Sequence, residues 1–79
     1  MKLPRDISCK ELILSLKKLG YEVIRQKGSH IRLVTLLKGK HYVTVPNHNS
    51  IKMGTLSGII NDVAAHFNKS KEEIINELF

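Results

Sequence analysis

Cysteine and aromatic residues are nearly missing from this 79-residue chain, which has one Cys, no Trp, two Tyr and two Phe. A lone Cys9 cannot close an intramolecular disulfide, so the fold is not a stapled secreted scaffold. Aromatics at 5% exclude the row of stacking rings with which some proteins grip single-stranded nucleic acid. Apolar runs are only a few residues long, far short of a membrane span. Met1-Lys2-Leu3-Pro4-Arg5-Asp6 has neither the apolar stretch nor the small-residue cleavage site of a signal peptide. Together these absences set the expectation of a cytoplasmic protein with no membrane role. Repeats, low-complexity tracts and linker-like runs are missing too. The length leaves no room for a second domain, a large cofactor cradle or a deep multi-substrate cleft, so one domain over residues 1–79 is expected.

Acidic residues are the last scarcity. Seven Asp+Glu face thirteen Lys+Arg, a net charge of +6 and a pI near 9.7. On so short a chain this suggests a polyanionic partner, nucleic acid first and an acidic protein second; a merely solubilising surface is the plainer alternative. The charge is unevenly spread. Eleven of the bases and three of the acids fall in residues 1–54, a local balance of +8, and residues 55–79 carry −2. With 42% hydrophobic residues the composition is that of a folded globular chain.

Local patterns give the order of elements. Ser8 and Glu11 have the spacing of a capping box, Ile7 and Leu12 that of a hydrophobic staple, and Leu12, Ile13, Leu16 and Leu19 form an apolar stripe ended by Gly20. A first helix over Ser8–Leu19 follows. Strands are predicted over Tyr21–Gln26, His30–Leu37 and Lys40–Val45, separated by turns at Lys27-Gly28 and Lys38-Gly39 and stopped by Pro46. The second strand alternates, with Ile31, Leu33, Thr35 and Leu37 on one face and His30, Arg32, Val34 and Leu36 on the other. After a polar loop, residues 47–52, Thr55 is a plausible N-cap for a helix carrying Leu56, Ile59, Ile60, Val63 and Phe67. Asn68-Lys69 breaks that pattern. Ser70 with Glu73 then caps a last helix whose apolar side is Ile74, Ile75, Leu78 and Phe79. The order α-β-β-β-α-α with short connections predicts an α+β fold: a three-stranded antiparallel sheet with helices on one face and the other face open.

Few residues invite chemistry. The four histidines, His30, His41, His48 and His66, contain no helical His-x3-His pair and there is no Cys pair, so no metal site is expected and no cofactor. Gly54 and Gly58 open a helix but lack the preceding strand and Lys-Ser/Thr ending of a phosphate loop. Cys9, in a first helical turn that can lower a thiol pKa, reads rather as a small buried hydrophobe. Tyr21 and Tyr42 stand at strand positions where packing is the commoner role and base stacking the alternative. His41 and His66 read as structural or solvent-facing.

His30 is the most informative position. If Ile31 and Leu33 face the core, His30 and Arg32 stand on the open face near Arg25 and Lys27. An imidazole among cations can take a proton from a ribose 2′-hydroxyl or give one to a leaving oxygen while the cations hold the phosphate, and histidine titrates near neutrality. His48, in Pro46-Asn47-His48-Asn49, is a second acid/base, a phosphate ligand or an ordinary loop residue. The residues alone favour an ordinary surface histidine at both positions.

Leu3-Pro4-Arg5, Lys10-Glu11-Leu12, Leu19-Gly20-Tyr21, Gln26-Lys27-Gly28-Ser29-His30, Val45-Pro46 with His48, and Gly54-Thr55-Leu56 resemble, in order and spacing, the HicA toxins of HicA–HicB toxin–antitoxin systems. The likeness runs from about Leu3 to Ile60; Ile31 and Ser57 stand where the family often has a polar and a basic residue. The resemblance implies an α-β-β-β-α fold similar to the double-stranded RNA-binding domain. It also implies a metal-independent endoribonuclease (an mRNA interferase) whose histidine of Gly-Ser-His is catalytic, here His30, and a HicB-type antitoxin that blocks it. RNA contacts are then expected from Arg25, Lys27, Ser29 and Arg32 beside His30, and from His48 and Lys52. Two rivals come from other classes. A non-catalytic double-stranded RNA-binding module would begin its last long helix with a lysine-rich turn, where Ile51-Lys52-Met53-Gly54-Thr55 has one lysine. An interaction protein would use the basic face only to dock an acidic partner.

Overall fold

A computed structural model describes residues 3–79; Met1 and Lys2, the latter one of the eleven N-terminal bases, lie outside the described residues. The elements are α1 (Cys9–Leu16), extended by a 3-10 turn at Lys17–Leu19, then β1 (Glu22–Lys27), β2 (His30–Thr35), β3 (His41–Pro46), α2 (Met53–Phe67) and α3 (Lys71–Leu78). The strands form one antiparallel sheet in the order β1-β2-β3.

Both capping boxes form. The Ser8 hydroxyl accepts from the Glu11 amide at 3.1 Å while the Glu11 carboxylate accepts from the Ser8 amide at 3.0 Å, and Ser70 and Glu73 repeat the exchange in α3. Each pair satisfies two amides that a helix start leaves without partners. These hydrogen bonds hold the Glu11 and Glu73 carboxyls below their ordinary pKa. The first helix tightens to 3-10 for its last turn and ends at Gly20, whose φ of +83° is left-handed and whose missing Cβ would sit 2.8 Å from Leu37. Backbone angle and space both require glycine there.

The core lies between the helices and one sheet face. Leu12 and Leu16 of α1, Leu33 and Val45 of the sheet, Leu56, Ile60 and Val63 of α2, and Ile74 and Leu78 of α3 are among its buried members. Ile31, Leu33 and Thr35 face inward and His30, Arg32 and Val34 do not, as the alternation predicts. The opposite sheet face is open.

Several boundaries differ from expectation. Strand β2 stops at Thr35, because its buried hydroxyl donates to the Leu19 carbonyl at 2.9 Å and accepts from the Leu37 amide at 3.2 Å, turning the chain. Leu37 therefore ends up exposed rather than in the core. Helix α2 starts at Met53, with Lys52 as N-cap and no side-chain cap, so Thr55 lies within its first turn. Phe79 follows the end of α3 and is exposed. Tyr21 is fully buried just ahead of β1. Its hydroxyl is hydrogen-bonded to His41 Nδ1 at 2.7 Å, and His41 stacks on His66 with ring centroids 4.5 Å apart. His41 and His66 thus brace β3 against α2, in line with their structural reading.

Candidate active site

The open face is built by period-2 alternation. Across the strands Lys27 pairs with His30 and His30 with Pro46; Arg25 pairs with Arg32 and Arg32 with Thr44; Glu22 pairs with Val34 and Val34 with Tyr42. A β-bulge at Ile24 sets the β1 side of the Arg25 and Lys27 columns, since the register shifts between Val23 and Arg25. In a regular strand those two residues would share a face. The extra residue lets Val23 pair with Leu33 while Arg25 meets Arg32 on the open side. No sequence signal marks the bulge.

His30 opens β2 directly after the two-residue Gly28-Ser29 turn, and Gly28 has a φ of +59°. A side chain there would meet no atom; the left-handed backbone alone calls for glycine. The loop after β3 is tied back to this turn. The Asn47 amide donates to the Ser29 carbonyl at 2.6 Å, the Cys9 amide to the His48 carbonyl at 3.0 Å, and the Ile51 amide to the Ile7 carbonyl at 2.8 Å. The hairpin tip, the polar loop and the start of α1 are thereby held as one rim.

Two shallow depressions meet at His30. One, of about 450 Å³, is lined by Arg25, Lys27, Ser29 and Arg32, with Gly28 at its edge. The other, of about 340 Å³, is lined by Pro46, His48, Lys52 and Thr55. His30 and Thr44 are the residues common to both. All seven expected site residues, His30, Arg25, Lys27, Ser29, Arg32, His48 and Lys52, therefore line this pair of depressions. Thr44 joins them without having been expected, although its position between core residues Val43 and Val45 puts it on the open face.

Electrostatically the site is one-sided. Among the described residues the ion pair that forms is Lys69 to Glu77 at 2.6 Å, joining the segment before α3 to that helix. The cations around His30 have no carboxylate partner among the described residues. Arg32 instead lies over the Tyr42 ring, 4.4 Å from its centroid, which steadies its guanidinium on the face. An exposed imidazole, hydroxyls and unneutralised cations on an open surface are suited to binding a phosphodiester and moving a proton at it.

Other candidates are placed elsewhere. Burial makes Cys9 nearly inaccessible and pushes its thiol up, so the helix start does not activate it. Tyr21 is packing; Tyr42 remains on the open face, 41% exposed. No helix of the described residues is long and apolar enough to cross a membrane.

A family model described as the HicA toxin of bacterial toxin–antitoxin systems matches residues 9–64, from the start of α1 to within α2. No curated protein and no solved structure matches the chain.

Proposed function

The chain belongs to the HicA toxin family, and we propose that it acts in the cytoplasm as an endoribonuclease cleaving mRNA with His30 as its acid/base. Membership implies a cognate antitoxin; we assign it as HicB-type, silencing the toxin by covering the basic face. The reading is carried by the position of His30, exposed at the meeting point of two depressions whose cations have no carboxylate partners among the described residues.

In the reaction the 2′-oxygen attacks the adjacent phosphorus. The 2′-oxygen–phosphorus bond forms, the bond from phosphorus to the 5′-oxygen breaks, and a 2′,3′-cyclic phosphate remains. His30 takes the 2′-hydroxyl proton. The departing 5′-oxygen receives a proton from His48, which lines the second depression together with His30. Arg25, Lys27 and Arg32, with the Ser29 hydroxyl, hold the phosphate and stabilise the charge that gathers on it in the transition state; Lys52 holds the backbone on the far side. No step calls for a metal.

Expression of the wild type should arrest growth, and His30→Ala should not. The purified chain should cut RNA in the presence of EDTA, leaving cyclic-phosphate ends. Equal toxicity of a folded His30→Ala variant would remove the role of His30. RNA that is shifted on a gel but uncut would replace the nuclease with a non-catalytic RNA-binding module.

A further inference from the structure

The depressions on the open face do not stop at the basic site. The one holding Arg25 and Arg32 adjoins a smaller hollow of about 290 Å³ between those arginines, Ile24 and Tyr42. That hollow in turn shares Ile24 and Tyr42 with a depression of about 450 Å³ whose walls include Val34, Leu36 and Lys40. A continuous track thus leads from the Lys52 end, past His30 and Thr44, to Tyr42. It changes character on the way. The His30 end is lined by cations, and the Tyr42 end by exposed apolar side chains, with Leu36 72% and Ile24 51% exposed.

From the ribonuclease reading above, we propose that Tyr42 is a nucleobase-binding residue of the same site, stacking one unpaired base of a single-stranded RNA about two nucleotides away from the phosphate held at His30. Three observations support this. Tyr42, Thr44 and Pro46 alternate on β3 and Pro46 pairs with His30, so Tyr42 stands ~13.6 Å along the strand from the His30 column, close to two extended nucleotides. The Arg32 guanidinium covers one face of the Tyr42 ring, and the rest of the ring is open to the apolar depression. Glu22 and Lys40 at the rim of that depression are an acceptor and a donor placed to meet the polar edge of a flat apolar base. A duplex keeps its bases stacked inside, so this arrangement selects unpaired RNA. One ring is not a platform: affinity comes from the cations, and Tyr42 contributes the choice of where the strand is cut.

The test is a binding scan on the full chain carrying His30→Ala, which keeps RNA intact. Fluorescent oligoribonucleotides of one sequence, each with an abasic nucleotide at a different position, are titrated against that chain and against it with Tyr42→Ala or Tyr42→Phe. Tyr42→Ala should weaken binding of the parent RNA by about five- to a hundredfold, the ordinary worth of base–aromatic stacking. Tyr42→Phe should stay within about twofold, since the ring face is retained. One abasic position should erase the Tyr42→Ala effect. An equal Tyr42→Ala loss on every abasic RNA would show that the ring only props Arg32, and no loss on any RNA would show that the shelf takes something other than a base; either overturns the proposal. Thermal melts verify folding of the variants, whose altered residue is outside the core. Cleavage of the parent RNA by the wild type is scored separately, so failure of the ribonuclease reading and failure of the base site give different results.

Discussion

Replacing Tyr21 with Phe removes one oxygen from the middle of the structure, and its cost should depend on pH. The Tyr21 side chain is fully buried, and its hydroxyl is hydrogen-bonded to His41 Nδ1 at 2.7 Å. Burial, helped by the Asp62 charge, pushes the phenol up to about 12, so it remains a donor at any working pH. With His41 neutral and its proton on Nε2, Nδ1 accepts from that hydroxyl. Burial holds the His41 pKa below its ordinary 6.5, the neighbouring His66 pushes the same way, and Asp62 opposes them. The folded state thus binds fewer protons than the unfolded chain between the lowered value and about 6.5, and stability falls as pH drops through that window. At pH 7.5 Tyr21→Phe leaves a partly buried acceptor unpaired and deletes a hydrogen bond, which should cost about 1–2 kcal/mol. For a domain of this size that is a fall in Tm of roughly 4–16 °C. As pH falls through the lowered His41 value, a proton on Nδ1 ends that donation and the two proteins should converge. Urea titrations from pH 8 to 5 read both effects. A wild type equally stable at pH 7.5 and 5, or a variant deficit that grows on acidification, would refute the reasoning.

Two further substitutions test the frame that carries the site. Leu33, fully buried between the outward-facing Arg32 and Val34 of β2, should cost about 2–5 kcal/mol as Leu33→Ala. In a chain of 79 residues that approaches the whole stability of a small domain, and denaturant midpoints or loss of near-ultraviolet signal would report it. Ser70→Ala removes the α3 cap and should cost about 1 kcal/mol in a chemical melt. It should also shrink the acid-side loss of stability as pH falls below 4.5, the ordinary value from which capping lowers Glu73.

Local chemistry made much of this readable. The two capping boxes, the Gly20 stop and the β2 alternation as far as Thr35 depend on neighbours within four residues and formed where their signals stood. The first hairpin turned one residue later than expected, at Gly28-Ser29 with Lys27 still in β1. The alternation also assigned His30 and Arg32 to the open face together. What failed to show depends on partners distant in sequence. The Ile24 bulge exists because Val23 and Arg25 answer to different residues of β2. Thr35 ends its strand by reaching Leu19, which leaves Leu37 outside the core. Helix α2 begins at an uncapped Lys52, and the more cap-like Thr55 falls inside its first turn. The Tyr21–His41–His66 brace joins three elements through residues that no motif links. On the site itself, spacing brought Lys27 to His30; only the fold brought His48 and Lys52 there, through the Asn47–Ser29 bond.

Folding and binding use opposite faces of the same three strands, and they should respond oppositely to salt. Arg25, Lys27, Arg32 and Lys52 face no carboxylate among the described residues, while the one ion pair lies at α3. Crowding like charges on one face costs stability that counterions relieve, because screening is effective within ~10 Å at 0.1 M salt. The same cations release counterions from RNA on binding, so affinity falls with salt, by a slope of about 0.7 per phosphate neutralised on a single strand. Raising salt from about 0.05 to 0.3 M should therefore raise Tm while weakening RNA binding. Arg25→Ala or Arg32→Ala should reduce both dependences together, the binding slope by about 0.7 for each phosphate that is no longer neutralised. A Tm that falls with salt would mean attractive pairs dominate the surface. A slope unchanged by either arginine would mean the RNA backbone runs elsewhere than over His30.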